Sequence, residues 1–520
     1  MAEKVMIMDT TLRDGEQMRN VSYSSEEKLS VARILLDEVR VYRIEIASAR
    51  VSEGEQKAAQ KVLQWSKSAG YLDRVEILGF TDHTKSVDWI GGIGGKVINL
   101  LAKGDRQHAE TQLGKTKEEH VADILKTISY ASDQGFICNI YLEAWSHGMI
   151  RSRDYVYYLI DAIKDTPIVR YMLPDTLGIL SPSQVAQFTR DMIDRYGDIG
   201  FDFHAHDDYG VSVANTLTAV ENGIRCVHTT INGMGERAGN APLDEVVVGI
   251  HDFLKMETDV DEKQLYHASQ TVSIYSSCRI AFNKPISGPN VFTQTAGIHA
   301  DGDKKGNLYS SQLHPDRFDR AYEYALGKLS GKSSLDYNLD KMGITLSSAQ
   351  KKKVLERVIL LGDRKESITE ADLPYIISDV LETPQDKTFE FLSSVIVTSI
   401  GLRAVAAVKL RYQNPDTQKT EEWEENASGD GGYDAFMNAI RSIAGKIRIE
   451  LPRLADYTVS IPPGGKTDAL VQCAIIWELD ERRFVTRGLN SDQVLAAAEA
   501  TEKMLNLITL PHRSKQKAEP

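Results

Sequence analysis

Residues 201–210 read FDFHAHDDYG. His204 and His206 stand one residue apart in a strand-like run, 200–206. Alternate side chains of a strand point to the same face, so both imidazoles can meet one metal ion. The competing reading is two histidines in ordinary structural hydrogen bonds. Context separates the two. Seven other short β-branched runs surround this one, at 5–9, 43–47, 74–79, 96–101, 137–143, 169–174 and 225–232. Between them lie stretches with helical spacing, among them 25–39, 54–68, 117–134, 181–196 and 209–222. Ser181–Pro182 is a good helix start, because serine caps and proline needs no amide donor in the first turn. Strands alternating with helices read as βαβ units. Eight such units in about 250 residues predict a closed (β/α)8, or TIM, barrel. An open doubly wound sheet is the rival, but the turn after the first strand is DTTLRDGEQ, not a Gly-rich phosphate loop. In a barrel, His204 and His206 end the seventh strand, on the rim where active sites lie.

The whole chain has 520 residues, room for two to four domains at roughly 150 each. It is 42% apolar and 26% charged, an ordinary globular composition. The net charge of −13 gives no general electrostatic reason to bind nucleic acid or an anionic membrane. No apolar run approaches the roughly 18 residues of a membrane span. The N-terminal residues turn polar too soon for a signal peptide. Cys138, Cys226, Cys278 and Cys473 form no CxxC pair, which suits a reducing cytoplasm and argues against a disulfide framework.

Domain limits are expected at 1–258 for the barrel, 259–385 for mostly helical connector subdomains, 386–512 for an α/β regulatory domain and 513–520 for a tail. The connector carries the irregular stretch NKPISGPNVFTQTAGIHADGDKKGNLY with His299, Asp301, Asn307 and Tyr309, and long structureless segments in compact proteins are usually functional or disordered. In the last domain, strands are expected at 388–398, 404–412, 457–461 and 469–477, a polar acidic loop at 413–426, and helices at 433–444 and 493–508.

Two further loops carry chemistry. DTTLRDGEQ places Asp9, Arg13, Asp14, Glu16 and Gln17 after the first strand. They are either a solvated salt-bridge cluster or a site, with Asp14 a hard carboxylate ligand and Arg13 a fixed cation. INGMGERAGNAPLDE follows the eighth strand; Asn240 is either a helix cap or an amide-oxygen ligand. Asp14 and the two histidines converge only if the barrel closes. The set Asp14, His204, His206 and Asn240 suits one Mn, Mg, Co or Zn ion in an open site. A 2-oxo acid would fill the open positions, its keto oxygen polarised by the ion and its developing alkoxide met by Arg13. Thr176, in LPDTLG, is a candidate for the carboxylate. Glu143 is either an acid/base residue or substrate anchor, or half of a structural ion pair. IPPGGKTD falls short of a P-loop because residue 460 is serine. GDGGYDAF precedes a helix and is either an anion site or a plain turn.

The sequences DTTLRDGEQ, FHAHDDYG and NGMGERAGNAPL, in that order, resemble the acyl-CoA-condensing branch of the metal-dependent barrel lyases: the 2-isopropylmalate, homocitrate and citramalate synthases. GKLSGKSSL, FTQTAGIHADGDKKGNLY, ASGDGGYDAFMNAI and IPPGGKTDALV are similar to feedback-regulated (R)-citramalate synthases, so the resemblance covers nearly the whole chain. It implies condensation of acetyl-CoA with pyruvate, then thioester hydrolysis to citramalate, an entry to isoleucine synthesis; the same-class alternative is 2-isopropylmalate synthase. It implies Asp14, His204 and His206 as ligands of one divalent ion with Asn240 nearby, Arg13 as electrostatic catalyst, and Glu143 as catalytic or acetyl-CoA-positioning. It implies that His299, Asp301 and Tyr309 reach the site from the partner of a homodimer, with His299 and Tyr309 in proton transfer, and Asn307 is a candidate substrate-binding residue. Leu78, Leu101 and Tyr141 match the positions that select the oxo acid. Tyr433, Asp434, Tyr457, Ile461 and Val471 match the effector pocket, where isoleucine would bind. Two departures stand out: Ala144 where an Asp is common, and a short, charged segment at 477–488.

Overall fold

The computed structural model describes residues 4–294, 302, 306, 308, 311–342, 344–363, 372–381, 387–398, 400–414, 417, 419–460, 471–479 and 482–509. The chain divides into two compact units, 1–292 with 311–321, and 293–310 with 322–520.

In the first unit, eight parallel strands close on themselves in sequence order. They are β1 (Met6–Asp9), β2 (Arg43–Ser48), β3 (Val75–Phe80), β4 (Val97–Lys103), β5 (Ile137–Glu143), β6 (Ile168–Asp175), β7 (Phe201–Ala205) and β8 (Cys226–Thr229). β8 pairs with β1 from Met6 beside Cys226 to Asp9 beside Thr229, so the sheet has no free edge. The expected (β/α)8 barrel is the fold, with helices including α1 (Ser25–Arg33), α2 (Glu53–Ala69), α3 (Lys85–Gly92), α4 (Lys117–Asp133), α5 (Trp145–Arg151), α6 (Arg153–Ile163), α7 (Pro182–Arg195), α8 (Ser212–Glu221), α9 (Leu243–Gly249) and α10 (Leu265–Ser276). Local sequence fixes their starts. Ser24 with Glu27, Thr116 with Glu119 and Ser181 with Gln184 each form a reciprocal capping box, and Pro182 occupies the first turn of α7. Each such cap is worth about 1 kcal/mol.

The strand interior is unusual for a barrel, whose filling is normally Val, Ile and Leu. Every second residue faces inward, and many of these are polar: Arg43 and Glu45 on β2, Glu76 on β3, Asn99 on β4, Asn139 on β5, Asp202 and His204 on β7 and His228 on β8, all buried. Toward the C-terminal ends of the strands, Met8, Leu78, Tyr141 and Met172 form an apolar cluster with Leu101 against it.

The second unit contains helices Lys332–Lys341, Ser348–Asp363 and Leu373–Leu381 around Leu335, Leu339, Val354 and Val358. Beyond them the same βββα order occurs twice. Strands β11 (Phe389–Val397), β12 (Ala404–Gln413) and β13 (Thr420–Gly429) precede helix Gly432–Ile447, and β14 (Arg453–Ser460), β15 (Val471–Leu479) and β16 (Arg482–Asn490) precede helix Gln493–Ile508. Both sheets are antiparallel. A two-stranded parallel sheet, β9 (Thr293–Gln294) with β10 (Glu323–Tyr324), belongs to this unit as well.

Two expectations fail here. The polar stretch 413–426 is not wholly a loop: β13 begins at Thr420, its Trp423 and Ala427 against the core and its Glu422 paired with Lys409 at 2.9 Å across the sheet. The charged segment 477–488 holds another strand. Its inward residues are Phe484, Thr486 and Gly488, and Thr486 accepts a hydrogen bond from the Trp477 indole at 2.8 Å. Gly488 is required by close approach, because a Cβ there would lie 1.9 Å from the Ala496 carbonyl oxygen of the covering helix. All four cysteines are free. Among the described residues, no helix is long and apolar enough to cross a membrane.

Candidate metal centre

The turn after β1 is wound tightly on one carbonyl. The amides of Arg13, Asp14 and Gly15 all donate to Thr10 O, at 3.1, 2.8 and 3.1 Å. This swings Asp14 over the barrel mouth, where it is buried. His204 lies on β7, and His206 continues that line through an antiparallel bridge to Asn240. Closure of the barrel therefore brings residues 14, 204 and 206 together. Asp14 Oδ2 is 3.3 Å from His204 Nε2 and 4.0 Å from His206 Nε2. One donor atom from each of the three lies within 4.8 Å of the others, as one shared ion requires.

Asn240 lies opposite His206 in a backbone bridge and does not cap a helix. α9 starts without a side-chain cap, whereas the Asn240 amide nitrogen donates to Met234 O at 3.0 Å. That orients its oxygen, which has no partner among the described residues. Asp14 Oδ1 is likewise buried without a partner there. Buried acceptors left unpaired are costly, and a hard cation would satisfy them. His206 Nδ1 faces Gly239 O at 3.2 Å; donation there leaves Nε2 with its lone pair, the outer contact usual for a ligating histidine.

The electrostatics fit the same reading. Burial alone would raise the Asp14 carboxyl, but the Arg13 guanidinium and His204 hold it far below the usual carboxylate range. Burial lowers His204 and brings His206 down to about 4, so both rings are neutral near pH 7 and free to ligate.

Arg13 is locked beside this centre. It donates from Nε to Glu45 at 2.5 Å, from Nη1 to Asp14 at 2.9 Å and from Nη2 to the Tyr141 hydroxyl at 3.3 Å. These use three of its five N–H donors. The carboxylates of Glu45 and Asp14 outweigh its burial and keep it firmly protonated. Leu101 and Tyr141 are neighbours across β4 and β5 and share an apolar cluster with Leu78, and the guanidinium carbon lies 5.6 Å from the Tyr141 ring centre. Thr176 accepts the Ala144 amide at 2.9 Å, which holds Ala144 at a left-handed φ of 61° and leaves the hydroxyl proton available. Glu143 forms an ion pair with Lys103.

Sequence reading missed Glu45, Asn99 and His228. Asn99 donates to Glu45 at 2.7 Å and to Glu76 at 2.8 Å, and His228 stands between Tyr141 and Asp202. Their signal was present: polar residues at every second position of otherwise apolar strands.

In the second unit, the rings of Tyr433 and Tyr457 meet at 5.1 Å, and the Tyr433 hydroxyl bonds Thr501 at 2.8 Å. Asp434 turns back to accept the Asp430 amide at 3.0 Å, so GDGGYDAF is a turn closed by that carboxylate. Val471 opens β15 opposite Asn490. His299, Asp301, Asn307, Tyr309 and Ile461 lie outside the described residues.

Residues 4–272 match the HMGL-like family, 286–366 the homocitrate synthase post-HMGL domain-like family, and 367–509 the LeuA allosteric (dimerisation) domain. The (R)-citramalate synthase of Methanocaldococcus jannaschii is 32% identical over 97% of this chain and 99% of its own length. The 2-isopropylmalate synthase of the same organism is 31% identical over 97% of this chain and 95% of its own. With the barrel, its ligand-like triad and the post-barrel domains all accounted for, the chain belongs to the HMGL-like family, alongside the citramalate and isopropylmalate synthases.

Proposed function

We propose that the chain condenses acetyl-CoA with pyruvate and hydrolyses the resulting thioester to (R)-citramalate and CoA, in the cytoplasm, as a first step toward isoleucine. Asp14, His204, His206 and Asn240 would hold one divalent ion (Mn, Mg, Co or Zn). Such an ion supplies Lewis acidity toward a keto oxygen. Arg13, fixed on three sides, donates to the oxygen that gains charge as the acetyl carbon bonds to the keto carbon. Thr176 offers its hydroxyl to the acid's carboxylate. Glu143, released from Lys103 by substrate, and His299, Asp301 and Tyr309 of a partner subunit are assigned to acetyl-CoA positioning and proton transfer on the strength of the resemblance, with Asn307 assigned to substrate binding. Isoleucine is the proposed inhibitor, bound near Tyr433, Asp434, Tyr457, Ile461 and Val471.

The observation that carries the choice of acceptor is the wall of Leu78, Leu101 and Tyr141 beside Arg13. By the resemblance, bulky side chains at these positions would leave room for a methyl group and crowd an isopropyl group. Each methylene in such a pocket discriminates by about 1–3 kcal/mol, so 2-oxobutyrate should be a weaker acceptor rather than an inert one. The second reading, 2-isopropylmalate synthase, is favoured by the near-equal identity to the synthase of that name. Release of CoA thiol decides, measured with pyruvate, 2-oxobutyrate and 2-oxoisovalerate, with and without isoleucine and chelator. Pyruvate should give the highest kcat/KM, and chelator should abolish turnover. A preference for 2-oxoisovalerate replaces this reading with the second.

A further inference from the structure

His228, on β8, is fully inside the barrel and bridges two side chains of different character. Its Nε2 lies 3.3 Å from Asp202 Oδ2, and its Nδ1 lies 3.2 Å from the Tyr141 hydroxyl. Asp202 is gripped by two guanidinium groups, Arg43 and, at 3.1 Å, Arg170. A carboxylate so held can only accept. Nε2 therefore donates to it, which leaves Nδ1 with the lone pair of a neutral ring. The Tyr141 O–H then has two acceptors in reach, His228 Nδ1 and, at 3.3 Å, Glu45 Oε2, while its oxygen accepts from Arg13 Nη2.

We propose that His228 is a positioning residue for acceptor choice: the Asp202–His228 pair sets the direction of the Tyr141 hydroxyl and thereby the ring that shapes the acceptor pocket. The His228 and Tyr141 rings pack edge to face at 5.6 Å, so the same contact holds ring and hydroxyl together. Nothing in this arrangement touches the acceptor directly. The route to specificity runs through Tyr141, which separates His228 from Arg13; the His228 ring also packs edge to face on His204 at 5.6 Å, and the cycle with Tyr141 below separates the two contacts.

The proposal rests on the 2-oxo acid reading above, and three measurements test it. In the unsubstituted protein, nitrogen-15 histidine spectra should show His228 protonated on Nε2 and bare on Nδ1. The reverse tautomer, or a doubly protonated ring, overturns the proposal without any variant having to fold. In turnover, His228→Phe should raise the KM of the acceptor and cut its preference over the acid one methylene longer by about five- to tenfold, with kcat changed less. His228→Asn, which keeps an acceptor near the Nδ1 position, should restore most of that preference. In a cycle with Tyr141→Phe, the double variant should show no more loss of preference than Tyr141→Phe alone. Effects that multiply, or a preference untouched in His228→Phe, overturn it. Failure of the function is read separately. The acceptor panel on the unsubstituted protein comes first; if it selects 2-oxoisovalerate, the pyruvate reading falls while the cycle is run on that acid.

Discussion

The barrel interior and the interior of the double βββα region solve the same problem with opposite materials. The second is filled by Phe389, Val408, Leu410, Phe436, Ile440, Ile475 and Trp477, its polar contacts being between uncharged groups such as Trp477 with Thr486 and Tyr433 with Thr501. The first holds Arg43 between Glu76 and Asp202, Asn99 between Glu45 and Glu76, and His228 between Asp202 and Tyr141. An apolar interior tolerates exchange of similar volumes. A charged one tolerates none of its members leaving alone, because the partner stays buried without compensation. The contrast teaches where the molecule places its stringency: under the catalytic rim, in the layer that aims Arg13 and Tyr141.

The sharpest way to break this contrast is to remove one barrel charge. Arg43→Ala removes the one guanidinium shared by Glu76 and Asp202, leaving Glu76 with Asn99 and Asp202 with Arg170 and His228, and should cost about 3–5 kcal/mol in urea unfolding. Ile440→Val in the other interior should cost only about 0.5–1.5 kcal/mol. Equal costs would mean that the barrel charges are no more exacting than ordinary volume. Next comes Arg13→Ala, expected to lower kcat by about 10²–10³ while an added divalent ion still binds in calorimetry. Loss of ion binding instead would show Arg13 serving the metal site and not the reacting oxygen.

The smallest effect lies on the barrel's outside. There Glu262 is paired with Arg317 at 2.7 and 2.8 Å and with His251 at 2.7 Å. These partners outweigh its partial burial and hold its carboxyl at about 2, below the ordinary 4.5. The stabilisation is therefore complete above about pH 4.5 and drains away as pH falls toward 2, by on the order of 1–2 kcal/mol. Glu262→Gln should flatten that segment of the stability profile. An unchanged acid limb would show this partly buried pair to be energetically idle.

How much of this was written legibly in the chain varied with the kind of signal. The eight strands announced themselves because parallel strands buried on both faces are rich in β-branched residues. His204, His206 and Asp14 followed from period-two geometry plus barrel closure. β13 escaped because four glutamates, at 421, 422, 424 and 425, drown its apolar alternation. It is a strand because of its ladder to β12 and the lysine and arginine opposite. β16 escaped for a similar reason, its inward face being Phe484, a threonine and a glycine between arginines. The inward polar layer was visible as Arg43–x–Glu45 and the lone Asn99 and Asn139, but no spacing rule says which of those charges pair across a closed sheet. That pairing is a property of strand order and shear, not of any one segment.

The loop after β8 has a spelling, NGMGERAGN, that owes more to shape than to reactivity. At position 235 the backbone carries φ of 152°, and a methyl group there would sit 2.2 Å from the amide nitrogen of Asn240. The missing side chain is the mould in which that amide is cast. Enlarging residue 235 would expel the carboxamide from the rim although position 235 itself supplies no donor or acceptor from a side chain. Drift at this glycine is thus constrained by a neighbour five residues downstream, and a library that varied the loop while sparing only the polar letters would discard the part that does the holding.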